Sequence, residues 1–181
     1  MRSDASANRD RLLIAAEQVF AAQGTTATLD DVAKAAGVGP ATLYRRFGNK
    51  DALVREVLRA FFTRLFELAQ QAEREPPATC VDRFLETVGY ELADKAGLTA
   101  NIWGDLAPRD LVDELSRRSA ALLARAQEAG AMRRDLTPAD ITTTVWAMRG
   151  VVQAGRIAAG PSTREAWRRH LGFVLESFHR G

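Results

Sequence analysis

Apolar residues recur along this chain at spacings of three and four, the signature of helices that bury one face. Leu29, Val32, Ala33 and Ala36 mark one short helix, and Leu43 and Phe47 share a face of a second with Val38 beneath them. Leu53, Val57, Phe61, Leu65 and Leu68 carry the period through a long helix from Asp51 to Glu75, where Pro76-Pro77 stops it. Thr79 to about Lys95 reads as the next helix, 97–108 as a shorter irregular piece, and Pro108 to Ala129 as another long helix closed by Gly130. Thr137-Pro138-Ala139-Asp140 is a helix start, with threonine as cap, proline in the first position and aspartate in the opening turn; Gly160-Pro161 ends that helix. A last helix runs from about Ser162 to His179. No alternating pattern of strand length competes, so an all-α fold is expected.

The breaks between the first two short helices are specific. Thr28 stands before Leu29 with Asp31 three positions on, a variant capping box in which both side chains satisfy free backbone N–H groups. Gly37 follows the last apolar residue, where a left-handed residue closes a helix at little steric cost. Pro40 then opens the second helix, at a position where its missing N–H has no intrahelical use. With Leu43 and Phe47 turned inward, Thr42, Tyr44, Arg45 and Arg46 lie wholly or partly outside. Arginine can place two donors on O6 and N7 of guanine, whereas hydroxyls and lysine suit phosphates, which fix register rather than sequence. Arg45 and Arg46 are therefore candidates to specify, and Thr42, Tyr44 and Lys50 to position.

The run from Arg11 to Leu53 resembles the DNA-binding domain of TetR-type transcriptional repressors: an opening helix (LLIAAEQVFAAQG), a threonine-containing link (TTATL), the helix DDVAKAAGV, then TLYRRFGNKDAL. Phe20, Gly24, Thr28, Ala33 to Val38, Leu43-Tyr44, Phe47 and Lys50 fall in order without insertion. The resemblance implies a three-helix helix-turn-helix domain over 1–50 and a larger helical effector-binding and dimerisation domain over 51–181. It implies that Thr28, Tyr44 and Lys50 touch phosphates and that Thr42, Arg45 and Arg46 approach base edges or neighbouring phosphates. Two departures bear on recognition. Asp30 stands where relatives present a basic residue, and Pro40 and Ala41 replace polar residues that often read bases, leaving base reading to fewer side chains.

Charge is uneven in a way that suits this reading. The net charge is only +2, but residues 1–50 hold seven Lys/Arg against five Asp/Glu while the rest of the chain balances 18 against 18. Gly37 to Lys50 contains three basic residues and no acid. A local basic patch fits a reader of sequence, whereas a generally basic coat would point to packaging of DNA or an anionic membrane. No apolar run reaches membrane-spanning length, and MRSDASANRDR lacks the apolar segment of a secretory signal, so a cytoplasmic protein with no membrane partner is expected. The single cysteine, Cys80, has no resolving partner or neighbouring cation and reads as a packed structural residue.

The last two long helices carry apolar stripes, Ile141, Val145, Met148 and Val152 on one and Trp167, Leu171, Val174, Leu175 and Phe178 on the other. Either they close the chain's own core or, as the resemblance implies, they meet a two-fold mate in a four-helix bundle. On the second reading Val145, Met148, Val152, Trp167, Leu171, Val174 and Phe178 form a homodimer interface. A dimer also suits a palindrome, where two heads double the contacts of one short helix. Phe62, Leu65, Tyr90, Trp103 and Trp146 are candidates to line an apolar cavity for a small-molecule effector, with Arg149, inside the apolar stretch VWAMRGVVQAG, as the leading polar contact. The segment ARAQEAGAMRRDLTPADI faintly resembles C-terminal domains grouped as SbtR-like, which leaves the effector open.

An enzyme is the competing class. His170 and His179 lie nine apart on one helix and do not share a face as a metal pair would, and no nucleophile motif or phosphate-cradling glycine loop appears. Neither metal nor cofactor is expected. A helical binding module that has lost its DNA contacts is a further alternative, against which the basic and hydroxyl groups of Tyr44, Arg45, Arg46 and Lys50 argue.

Overall fold

The computed structural model describes residues 2–95, 98, 105–157 and 163–179. Among them are eight α-helices and one turn of 3₁₀-helix, with no strand. The helices are α1 (Arg2–Gln23), α2 (Leu29–Ala36), α3 (Pro40–Phe47), α4 (Lys50–Ala72), α5 (Cys80–Asp94), α6 (Arg109–Glu128), α7 (Pro138–Ile157) and α8 (Thr163–His179). The chain divides into two compact units, residues 1–61 with 97–108 and residues 62–96 with 109–181. The division falls within α4, whose first three turns belong to the first unit; the boundary expected at residue 50 marks the start of that helix.

In the first unit α1 packs on α2 and α2 on α3. Leu12, Ala16 and Phe20 of α1, Leu29, Val32 and Ala33 of α2, and Leu43 and Phe47 of α3 are buried, each set at helical spacing. Leu53, Val54, Val57, Leu58 and Phe61 line the buried side of the first half of α4. Arg9 grips Glu56 through Nη2 at 2.7 Å and Nε at 3.1 Å, tying α1 to α4 at the surface.

In the second unit α5 packs against α6, α7 and α8, and α7 against α6 and α8. Cys80, Val81, Phe84, Leu85, Val88 and Leu92 of α5 are buried at the centre of this arrangement. The Cys80 Sγ lies 3.5 Å from the Pro77 and Leu122 carbonyls, and burial pushes the thiol's pKa up, away from the reactive thiolate. The last carbonyls after α4 would be left without partners, but Arg125 of α6 donates to Glu73 O at 2.7 Å and Glu75 O at 2.8 Å. The chain then crosses Pro76-Pro77, and α4 ends at Ala72 rather than Glu75.

Candidate nucleic-acid interface

The turn between α2 and α3 is built as its residue types require. Thr28 caps α2: Asp31 N–H donates to Thr28 Oγ1 at 3.2 Å, and Thr28 N–H and Oγ1–H donate to the Asp31 carboxylate at 2.9 and 2.6 Å. These bonds hold the Asp31 carboxyl below the usual aspartate range. Gly37 takes φ 68°, ψ 31°, and the Val38 N–H reaches back to Ala33 O at 3.0 Å, closing α2 in a Schellman motif. Gly39 is extended and Pro40 opens α3. Leu43 is fully buried and Phe47 nearly so, which aims the opposite face of α3 at solvent.

On that outer face Tyr44 is half exposed, Arg45 and Arg46 are exposed, and Thr42 is half-buried. Pro40 and Ala41 are exposed as well. Thr28 is exposed at the start of α2, and Lys50 is half-buried in the first turn of α4. The six residues expected to meet DNA thus lie at the accessible starts of α2 and α4 and along α3, all in the first unit. Arg46 also covers the Phe47 ring, its guanidinium carbon 5.7 Å from the centroid. Sequence reasoning passed over Asn49. Its Oδ1 accepts the Ala52 N–H at 2.9 Å and so caps α4 beside Lys50, a role that asparagine one residue before a helix signals.

Residues 12–57 match the family described as bacterial regulatory proteins, tetR family. Residues 76–176, more than half of the chain, match the C-terminal domain of SbtR-like transcriptional regulators. The chain belongs to the TetR family. It is 35% identical over 109 residues to the HTH-type transcriptional repressor KstR2 of Rhodococcus jostii strain RHA1, covering 57% of this chain and 52% of that repressor. The chain therefore spans about half the length of this curated relative. Among solved structures it resembles the TetR transcription regulatory protein from Mycobacterium vanbaalenii, with TM-score 0.71 at 27% identity over 99% of both chains. PfmR from Thermus thermophilus shares the fold at TM-score 0.76 and 19% identity, over 94% of this chain and all of PfmR. These relatives are regulators, a non-enzymatic role.

The second unit holds the remaining candidate residues of this TetR-family chain. Met148, Val152, Trp167, Leu171 and Phe178, expected at a dimer interface, are buried within the single chain and form its own core. Val145 and Val174 are only half-buried. The inward stripe of α7 is Ile141, Thr144, Met148 and Val152, with the Thr144 hydroxyl satisfied by Asp140 O at 2.8 Å. Trp146, two residues from both Thr144 and Met148, falls on the opposite side of α7 and is 47% exposed. Phe173 is likewise two residues from Leu171 and 57% exposed on α8, an outward aromatic that the stripe pattern missed. Arg149 lies over the Trp146 ring at 5.5 Å and Arg169 over the Phe173 ring at 5.7 Å. Partial burial lowers the pKa of Arg149. Of the remaining cavity candidates, Phe62 and Leu65 are buried and Tyr90 half-buried in the second unit, and Trp103 lies outside the described residues.

Among the described residues no helix is long and apolar enough to cross a membrane, and no group of three or more His, Cys, Asp or Glu is placed to hold a metal ion.

Proposed function

We propose that this chain is a ligand-responsive transcriptional repressor that covers a palindromic operator as a homodimer and is released by a small-molecule effector. The observation that carries the reading is the outer face of α3, where Tyr44, Arg45 and Arg46 are presented opposite the buried Leu43 and Phe47. In this proposal Thr28, Tyr44 and Lys50 hold phosphates, and Thr42, Arg45 and Arg46 meet base edges or neighbouring phosphates. The similarity to a KstR2 repressor supports the direction of control.

The dimer forms through the outer faces of α7 and α8, where Trp146 and Phe173 present apolar surface beneath arginines. Phe62, Leu65 and Tyr90 remain the proposed effector contacts, while Arg149, stacked over Trp146, goes with the proposed dimer face. Helix α4 contributes residues to both units, so a ligand-dependent shift of its second half has a covalent route to the head. Release requires the effector to favour the arrangement of the two heads that does not bind DNA, since a ligand shifts an equilibrium only by its differential affinity. The protein works in the cytoplasm, without catalysis or a cofactor.

The test is a fluorescence-anisotropy titration against DNA upstream of the chain's own gene and a scrambled control at two salt concentrations. Arg45→Ala and Arg46→Ala should relax sequence preference by about 1–3 kcal/mol per lost bidentate contact. Lys50→Ala should weaken all DNAs alike and flatten the salt slope by about one. Equal losses on operator and random DNA for all three variants would sink these roles.

A further inference from the structure

Ahead of Thr42, the start of α3 presents no polar side chain that can address a base. Gly39, Pro40 and Ala41 are all exposed; the first has no side chain, the second no N–H, and the third only a methyl group. Beyond Gly39 and its two chain neighbours, no atom lies within 4 Å of the place a Cβ would take on Gly39, so this corner is open to an incoming surface. In helix-turn-helix proteins the first residues of the recognition helix face base edges in the major groove. A methyl group there has one apolar counterpart among the four base pairs, the C5-methyl of thymine. Against guanine, adenine or cytosine it would strip water from a donor or acceptor and return no hydrogen bond, which costs binding.

We propose that Ala41 reads a thymine methyl in each operator half-site, with Pro40 beside it excluding water. This deepens the proposed function and rests on it. Ala41 and Arg45 stand four residues apart on the exposed face, about 6 Å along the helix axis. Successive base pairs are about 3.4 Å apart, so the thymine lies about two base pairs from the guanine that Arg45 contacts.

The experiment begins with random-site selection by the full chain, the Arg45 position being mapped with Arg45→Ala. Thymines within three base pairs of that position are then replaced singly by deoxyuridine, which deletes the methyl and leaves pairing intact. One replacement per half-site should weaken binding about fourfold, the value of one buried methyl-sized group. Ala41→Gly should bind the thymine and deoxyuridine operators equally while keeping the guanine preference. The deoxyuridine arm uses the unaltered protein, so its outcome holds even if Ala41→Gly folds poorly. Deoxyuridine tolerated at every one of those thymines overturns the proposal, as does an Ala41→Gly protein that still distinguishes the two bases. Selection of a defined site without methyl dependence removes this inference alone, whereas selection of no site removes the DNA-reading function with it.

Discussion

His179, the last residue of α8, meets Asp82 in the first turn of α5, its Nε2 3.0 and 2.9 Å from the two carboxylate oxygens. Its Nδ1 lies 2.7 Å from the Ala131 carbonyl in the link between α6 and α7. A carbonyl and a carboxylate oxygen accept, so both contacts are hydrogen bonds together only when both ring nitrogens carry a proton. Burial alone would lower its pKa, but the bonds to Asp82 and Ala131 and the charge of Asp82 outweigh it and raise the pKa above the ordinary value. Two helices, α5 and α8, and the link between α6 and α7 are thus pinned by one ring, helped by Arg133 N–H donating to Phe178 O at 3.0 Å.

The pH dependence follows from that sign. A histidine whose folded pKa is raised stabilises the fold fully below its unfolded value of about 6.5, and the contribution fades as pH rises through the higher folded pKa. The melting temperature should therefore fall between mildly acidic and mildly alkaline pH more steeply for the native protein than for Asp82→Asn. Two-dimensional NMR of the ring nitrogens should show His179 titrating above the ordinary range, and Asp82→Asn should bring it down. Identical pH profiles for the two proteins would refute the clamp.

Gly89 is the position where α5 admits the Trp167 ring. A Cβ there would sit 2.5 Å from Trp167 Cζ3 and 2.7 Å from Cε3. The ring is fully buried and also packs edge-on against Tyr90 at 4.8 Å, so it has little room to retreat. Gly89→Ala gains about 1 kcal/mol of helix propensity, while overpacking costs about 1–3 kcal/mol; the clash should win. Chemical denaturation should show a net loss of stability. The Trp167 indole N–H is buried without a hydrogen-bond partner among the described residues, so Trp167→Phe should cost less than loss of the ring's area alone implies.

Thr28 serves both as the cap of α2 and as a proposed phosphate contact, and the two roles separate by substitution. Thr28→Ser keeps the hydroxyl and should preserve both stability and DNA binding. Thr28→Ala should cost about 1 kcal/mol of stability through the lost cap. If its loss of DNA affinity persists when corrected for the folded fraction, the hydroxyl also meets DNA; a corrected affinity equal to native would leave it a cap only.

Trp146 and Phe173 test the proposed dimer. Combining Trp146→Glu with Phe173→Glu should leave the fold intact, since both side chains are exposed, yet give a monomer by light scattering with weakened binding to a palindrome. A dimer of native stability would exclude the outer faces of α7 and α8 as the interface.

The sequence by itself determined the head almost completely. The Thr28–Asp31 capping box, the left-handed Gly37 and the start at Pro40 are made by residues within a few positions of each other, so their chemistry is local and can be read without knowing what packs where. The same holds for the cap at Thr137 and Asp140, where the threonine N–H and hydroxyl both donate to the carboxylate at 2.7 Å. Only the tertiary structure decided which neighbour covers each helical stripe. Periodicity identifies an apolar face, but it does not say whether that face meets its own chain or a second copy, and burial assigns Trp167, Leu171 and Phe178 to the chain's own core. Contacts such as His179 to Asp82, 97 residues apart, leave no local trace, because they arise from the packing of α5 against α8 and not from any spacing along the chain.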